Sequence, residues 1–232
     1  MITDRGGKTT DTAVVEGGWP LIENRHAIIH ERETSIKSIR VRSYALGGDS
    51  EVQTGEGGVL EMLARRVMPV SLMASRYPKF LKELIGKSNE RTGLHGGYRY
   101  LVQSEDQKKW KDLLTRDETE LLNMIRDTPT PFDRFSGRAR YRAMILRLFE
   151  MGAIQMSGLT MSDAAHVLGL QNHWSSEGAR MALIISGRWN GMISGNHQNL
   201  EQELQNYAKN ILDQTVLKSS RIMLETLSGK TV

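Results

Sequence analysis

Five arginines crowd one short stretch of the chain. Between Phe132 and Arg147, Arg134, Arg138 and Arg142 recur at i, i+4 spacing, Arg140 and Arg147 stand beside them, and Asp133 is the one opposing acid. On a helix this spacing lines guanidiniums along one edge, where like charges four residues apart repel by roughly 0.2–0.5 kcal/mol per pair. Such an edge favours a bound anion. Phe135 and Tyr141 are interleaved with the arginines. Forked guanidiniums grip phosphate while aromatic rings contact bases, so the pattern points to nucleic acid. The candidate binding residues are Arg134, Arg138, Arg140, Tyr141, Arg142 and Arg147, with Phe135 as a base contact or a support for the helix. Further candidates are Lys37, Arg40 and Arg42 on an early strand, Arg65 and Arg66 on a first helix, and Lys108 and Lys109 mid-chain. The expectation is that several of them line one groove.

Other chemistries find little support. The chain has no cysteine, which removes disulfides, thiol nucleophiles and thiolate metal sites. Of the six histidines, only His26 and His30 have ligand-like spacing, and the β-branched pair Ile28-Ile29 between them opposes the helix that would align them. Gly6-Gly7-Lys8-Thr9 echoes the end of a phosphate-binding loop, yet Ile2 stands where its first glycine belongs. Gly55-Glu56-Gly57-Gly58 precedes an apolar stretch, but Leu60 occupies the third glycine position of a dinucleotide fingerprint. Before Ser194 the nearest glycine, Gly191, sits three residues away, not the two that a hydrolase elbow requires. The expectation is a protein that is not an enzyme and that carries neither metal nor cofactor.

Several elements must position the arginines. Residues 1–20, rich in Gly, Thr and Asp, read as a flexible arm whose Trp19 docks on a partner or on its own domain. From His26 to Leu46 the pattern is strand-like, and alternation puts Arg40 and Arg42 on one exposed face. Val59, Leu60, Met62, Leu63 and Val67 have helical spacing ended by Pro69, and Pro78 to Ile85 forms a second helix. Tyr98, Tyr100 and Val102 alternate as a β element, after which Glu105 to Leu114 reads as helix. Thr115 and Glu118 have the spacing of a capping box for the next helix. The segment Thr128-Pro129-Thr130-Pro131 breaks the chain, and Arg138 to Met151, Thr160 to Leu168, Gly178 to Ile185 and Leu200 to Leu227 follow as helices. The fold expected is mainly α: a small N-terminal β-containing lobe over 21–128, a helical lobe over 129–195 and an amphipathic C-terminal helix within 196–232. Leu204, Tyr207 and Ile211 form the stripe of that last helix and, with Trp19, are the candidates for self-association.

The chain has 232 residues, 39% of them hydrophobic, and a formal charge of +4, which suits a polyanion without requiring one. No apolar run approaches the roughly 20 residues that span a bilayer, and the first residues carry no apolar signal. A cytoplasmic, nuclear or virion-internal location is expected, without secretion. Leu159 to Trp174 resembles the first helix and turn of bacterial helix-turn-helix modules through Asp163-Ala164-Ala165 and Val167-Leu168-Gly169-Leu170, although Ser175, Ser176 and Gly178 replace the buried aliphatics of a recognition helix. That resemblance implies a DNA-binding regulator. The arm, core and tail plan also looks like that of small viral nucleocapsid proteins, without a shared motif, and implies a self-associating coat that binds RNA in preference to DNA. A matrix or scaffold protein whose basic face meets anionic lipid is a third expectation.

Overall fold

The computed structural model describes residues 1–22, 28–29, 32–33, 39–54, 59–89, 96–105, 109–125, 128–194 and 198–228. In chain order the first part carries β1 (Ile2–Arg5), β2 (Thr10–Ala13), β3 (Val15–Glu16), β4 (Trp19–Pro20), β5 (Ile28–Ile29), β6 (Arg32–Glu33), β7 (Val41–Tyr44), β8 (Ser50–Thr54), β9 (Leu60–Arg66) and β10 (Met68–Pro69). Then come α1 (Val70–Arg76), α2 (Pro78–Ser88), β11 (Tyr100–Gln103), α3 (Arg116–Ile125), β12 (Thr130–Pro131), α4 (Asp133–Ser136) and α5 (Ala139–Glu150). The chain closes with β13 (Ile154–Gly158), α6 (Met161–Val167), α7 (Ser176–Trp189) and α8 (Leu200–Ser228). About 50% of the described residues are helical and 23% are strand, so the protein is mixed α/β, not mainly α.

Two departures account for the extra strand. Residues 2–13, expected in a flexible arm, fold as a hairpin whose β2 pairs antiparallel with β7, giving the sheet order β1-β2-β7. Beyond it, β3 and β4 close around Gly17-Gly18, both at positive φ (59° and 86°). A two-residue hairpin turn of that hand requires two such residues, which glycine adopts freely. The second departure is the stretch expected as the first helix. It forms β9, in which Leu60 and Met62 are buried while Glu61, Ala64 and Arg66 are exposed, and it pairs with β8. Its apolar spacing fits two periods, and pairing with a neighbouring strand decides between them. The helix expected over 105–114 is reduced to a 3-10 turn at Lys111–Leu113 among the described residues.

A four-stranded sheet of order β10-β13-β11-β12 stands between two apolar cores. Tyr100 and Val102 face the larger core with Met73, Phe80, Leu183 and Ile211, while Leu101 faces the smaller with Leu121, Ile125, Phe135, Ile145 and Leu148. A strand covered on both faces needs apolar residues in succession, which Tyr100-Leu101-Val102 provides. The parallel pair β10–β13 leads into α1 and α6, and one carboxylate serves the start of both helices. Asp163 accepts hydrogen bonds from the backbone N–H groups of Thr160 (2.9 Å) and Ser71 (2.8 Å) and from the Thr160 hydroxyl (2.9 Å), completing a capping box. Burial pushes its pKa up while these hydrogen bonds oppose the rise.

Candidate functional site

Because β9 is a strand, its successive residues Arg65 and Arg66 point to opposite faces. Arg66 pairs with Asp49 at 2.9 Å near the surface, and Arg65 turns inward. Its Nε donates to Oε2 of Glu51 at 2.6 Å, while Nη2 of Arg99 donates to Oε1 of the same carboxylate at 2.7 Å. The Glu51 side chain is fully buried, so a carboxylate bracketed by two guanidiniums is sunk beneath this face. Burying an isolated charge is costly, and two bidentate-capable partners are what make this one tolerable. The arrangement still carries one positive charge more than it cancels.

That excess borders a cavity of about 440 Å³. Arg65, Arg99 and Gln53 contribute polar surface, Arg142 enters from α5, and Phe132, Ile145, Leu146, Phe149 and Met156 form the apolar part of the wall. Among the described residues, the buried Nε of Arg99 has no hydrogen-bond partner. Asp133, also at the wall, lies 3.8 Å from Nζ of Lys87. The cavity therefore combines converging guanidiniums with two phenyl rings. This surface can hold an anionic group attached to an apolar body.

The candidate arginines of the second half divide into two sets. Arg140 pairs with Asp117 and Arg147 with Glu118, both acids belonging to the first turn of α3. Glu118 also accepts hydrogen bonds from the N–H and hydroxyl of Thr115, each at 2.9 Å, so the expected capping box is present and doubles as an anchor for α5. The Arg147 guanidinium holds the Glu118 carboxyl below its ordinary pKa, against the effect of burial. Among the described residues no acid pairs with Arg134, Arg138 or Arg142. Arg138 lies over the Tyr141 ring at 5.5 Å, and Tyr141 meets the buried Phe135 edge-on at 5.9 Å. Phe135 is thus a support for the helix.

The remaining candidates lie elsewhere. Arg42 does not share an exposed face with Arg40: it turns inward and donates to the carbonyl of Glu225 on α8 at 3.1 Å, while Val41 is 52% exposed. The inner face of this sheet is polar because Thr12 and Tyr44 also bond the Thr226 hydroxyl of α8, at 2.8 and 3.3 Å. Arg40, just before β7, is exposed. Lys37 and Lys108 lie outside the described residues, and so do His26, His30, His95 and His197. Leu204, Tyr207 and Ile211 are buried in the larger core. Instead α8 exposes Val216, Leu217, Leu224 and Leu227, and Trp19 is 78% exposed on its hairpin.

In the segment resembling a helix-turn-helix, α7 is the central helix, packed by α1, α2, α6 and α8. Of its residues only Ser176, Glu177 and Trp189, at the two ends, are exposed. Gly178 departs from that pattern because a Cβ there would collide with Ala74 of α1. The turn is fastened by His166, whose Nδ1 donates to the Ser162 carbonyl (2.7 Å) and whose Nε2 accepts from the N–H of Trp174 (3.2 Å). No helix among the described residues is long and apolar enough to cross a membrane.

Sequence reasoning missed Glu51, Arg99, Gln53 and the phenyl rings of Phe132 and Phe149. Their signal was latent in the β pattern. Once 60–66 is taken as a strand, Glu51 falls at the irregularity of its partner β8, and Arg99 follows the Gly96-Gly97 turn beside Tyr98 and Tyr100. Comparison of the chain with protein-family models, curated proteins and solved structures found no match.

Proposed function

We infer that the chain is a non-enzymatic, self-associating protein that binds single-stranded nucleic acid. One observation carries this reading: Arg65 and Arg142, far apart in sequence, line the same cavity together with Arg99, Phe132 and Phe149. Guanidiniums beside aromatic rings suit a strand whose phosphates and bases are both accessible. Arg134 and Arg138, on α4 and at the start of α5, extend the positive surface from Arg142. The buried position of α7 favours this reading over insertion of a recognition helix into duplex DNA, which needs an exposed face.

The test is a filter-binding titration with a single-stranded oligonucleotide and its duplex across a range of salt. Replacing Arg134, Arg138 and Arg142 together by Ala should weaken single-strand binding. It should also flatten the log–log salt slope by about 0.7 for each phosphate that the variant no longer neutralises. An unchanged slope, or a preference for one duplex sequence, overturns the reading. Self-association is tested at the exposed apolar side chains of α8, because deleting that helix would remove Leu204, Tyr207 and Ile211 from the core. Leu217→Ser with Leu224→Ser should lower the mass seen by light scattering without moving the unfolding midpoint. Retention of the full mass would place the contact on another surface.

A further inference from the structure

The cations that line this cavity meet at one space. Arg65 and Arg99 bind opposite oxygens of one buried carboxylate, at 2.6 and 2.7 Å, and Arg142 lines the same space from a different element. Three guanidiniums are set against Glu51, and Asp133 has Lys87 beside it at 3.8 Å. About two positive charges are then left to a space of about 440 Å³, within the size range of small-molecule sites. A phosphate monoester carries roughly −1.5 to −2 at neutral pH, because its second pKa is about 6. A phosphodiester inside a strand carries one charge only. The converged charge therefore matches a terminal phosphate better than an internal one.

The rest of the wall describes what is attached to that phosphate. Phe132, Leu146 and Phe149 offer apolar surface, two of them as planar rings, and Gln53 offers an amide that can donate and accept. Both oxygens of Glu51 are engaged by arginine, and among the described residues no acid pairs with Arg142. The Arg142 guanidinium is thus left without an acid beside surface on which a base can lie. We propose that the cavity between α5, β9 and the turn before β11 binds one phosphate monoester on a planar body, a nucleoside monophosphate unit. This deepens the strand-binding reading and rests on it for the choice of a nucleotide. The unit has two sources, a free nucleotide or the phosphorylated 5′ end of a strand.

Fluorescence polarisation on the full chain separates them. One short oligonucleotide labelled at its 3′ end is offered with a 5′-phosphate or a 5′-hydroxyl, and uridine monophosphate, uridine and inorganic phosphate serve as competitors. The phosphorylated strand should bind at least about tenfold tighter, the gain expected of charge-assisted hydrogen bonds. Uridine monophosphate should compete better than either uridine or inorganic phosphate. Arg142→Ala should remove the advantage of the phosphate. Leu146→Glu, placed at a side chain 45% exposed on the wall, should remove the advantage of the nucleotide over inorganic phosphate while the chain stays folded. Equal binding of the two strands without competition by the nucleotide overturns the inference and leaves strand binding standing. Calorimetric binding of uridine monophosphate that depends on Arg142, with no oligonucleotide bound in the polarisation assay, upholds the inference and overturns strand binding. Inorganic phosphate competing as well as the nucleotide also overturns it, since the apolar wall would then contribute nothing.

Discussion

The two edges of α5 carry the same residue type to different ends. On the edge facing α3, Arg140 and Arg147 stand seven residues apart, two turns, and each meets an acid from that helix's first turn. On the edge facing the cavity, Arg138 and Arg142 lie one turn apart and continue into Leu146 and Phe149, with no acid paired to either arginine among the described residues. The first edge fastens two helices together through charges that are already matched. The second keeps a guanidinium in reserve beside apolar surface. What separates them is the capping box at Thr115, which fixes Glu118 in reach of Arg147. Local backbone chemistry on α3 thus decides which cations of α5 remain available to a ligand.

The largest effect is expected from unbalancing the buried acid behind the reserved edge. Glu51→Gln leaves Arg65 and Arg99 facing each other without a counter-charge. Breaking a buried pair costs about 3–5 kcal/mol, and the lower end is expected because Arg65 remains 31% exposed. Urea unfolding measures it through the shift in midpoint at constant m-value. Added phosphate should recover part of the loss by supplying the missing anion. A shift below about 1 kcal/mol would show that the two guanidiniums do not depend on Glu51.

The matched edge makes a prediction about acid. Arg147 holds the Glu118 carboxyl below its ordinary value. A carboxyl lowered in the folded state contributes stability that is fully present above the unfolded value, about 4.3, and is lost as pH falls through the lowered folded value. Arg147→Ala should therefore reduce stability at neutral pH and also make its decline on acidification below the unfolded value shallower. Urea midpoints from neutral pH to below that value check both. An equally steep decline in the variant would assign the acid sensitivity to other carboxyls.

Much of this helical framework was legible because caps are local. Thr115 with Glu118, Thr160 with Asp163 and Gly152 after α5 each act within a few residues, and the helices they bound lie where their spacing puts them. The cavity was not legible, because a strand's partner is not written in the strand. Val59 to Val67 fits helical and extended periods alike, and only pairing with β8 sends Arg65 to Glu51 and Arg66 to Asp49. The inner face of β7 was hidden for a related reason. An interface with α8 built from hydroxyls and a carbonyl turns the half-buried Arg42 inward and exposes Val41, the reverse of the usual alternation.

The smallest stability effect gives the sharpest contrast, since both residues are at the surface. The Arg140–Asp117 pair is exposed on both sides, 68% and 52%, and exposed pairs contribute about 0–1 kcal/mol. Arg140→Ala should shift the urea midpoint by no more than that and leave oligonucleotide affinity unchanged, because its charge is already met. Arg142→Ala removes a charge one turn from Arg138, so stability should hold or rise by about 0.2–0.5 kcal/mol while affinity falls. The two variants change net charge equally, which cancels any general electrostatic effect of losing one arginine. If affinity fell by the same factor in both, the helix would act as one diffuse positive field, and pairing with α3 would not determine which arginines bind.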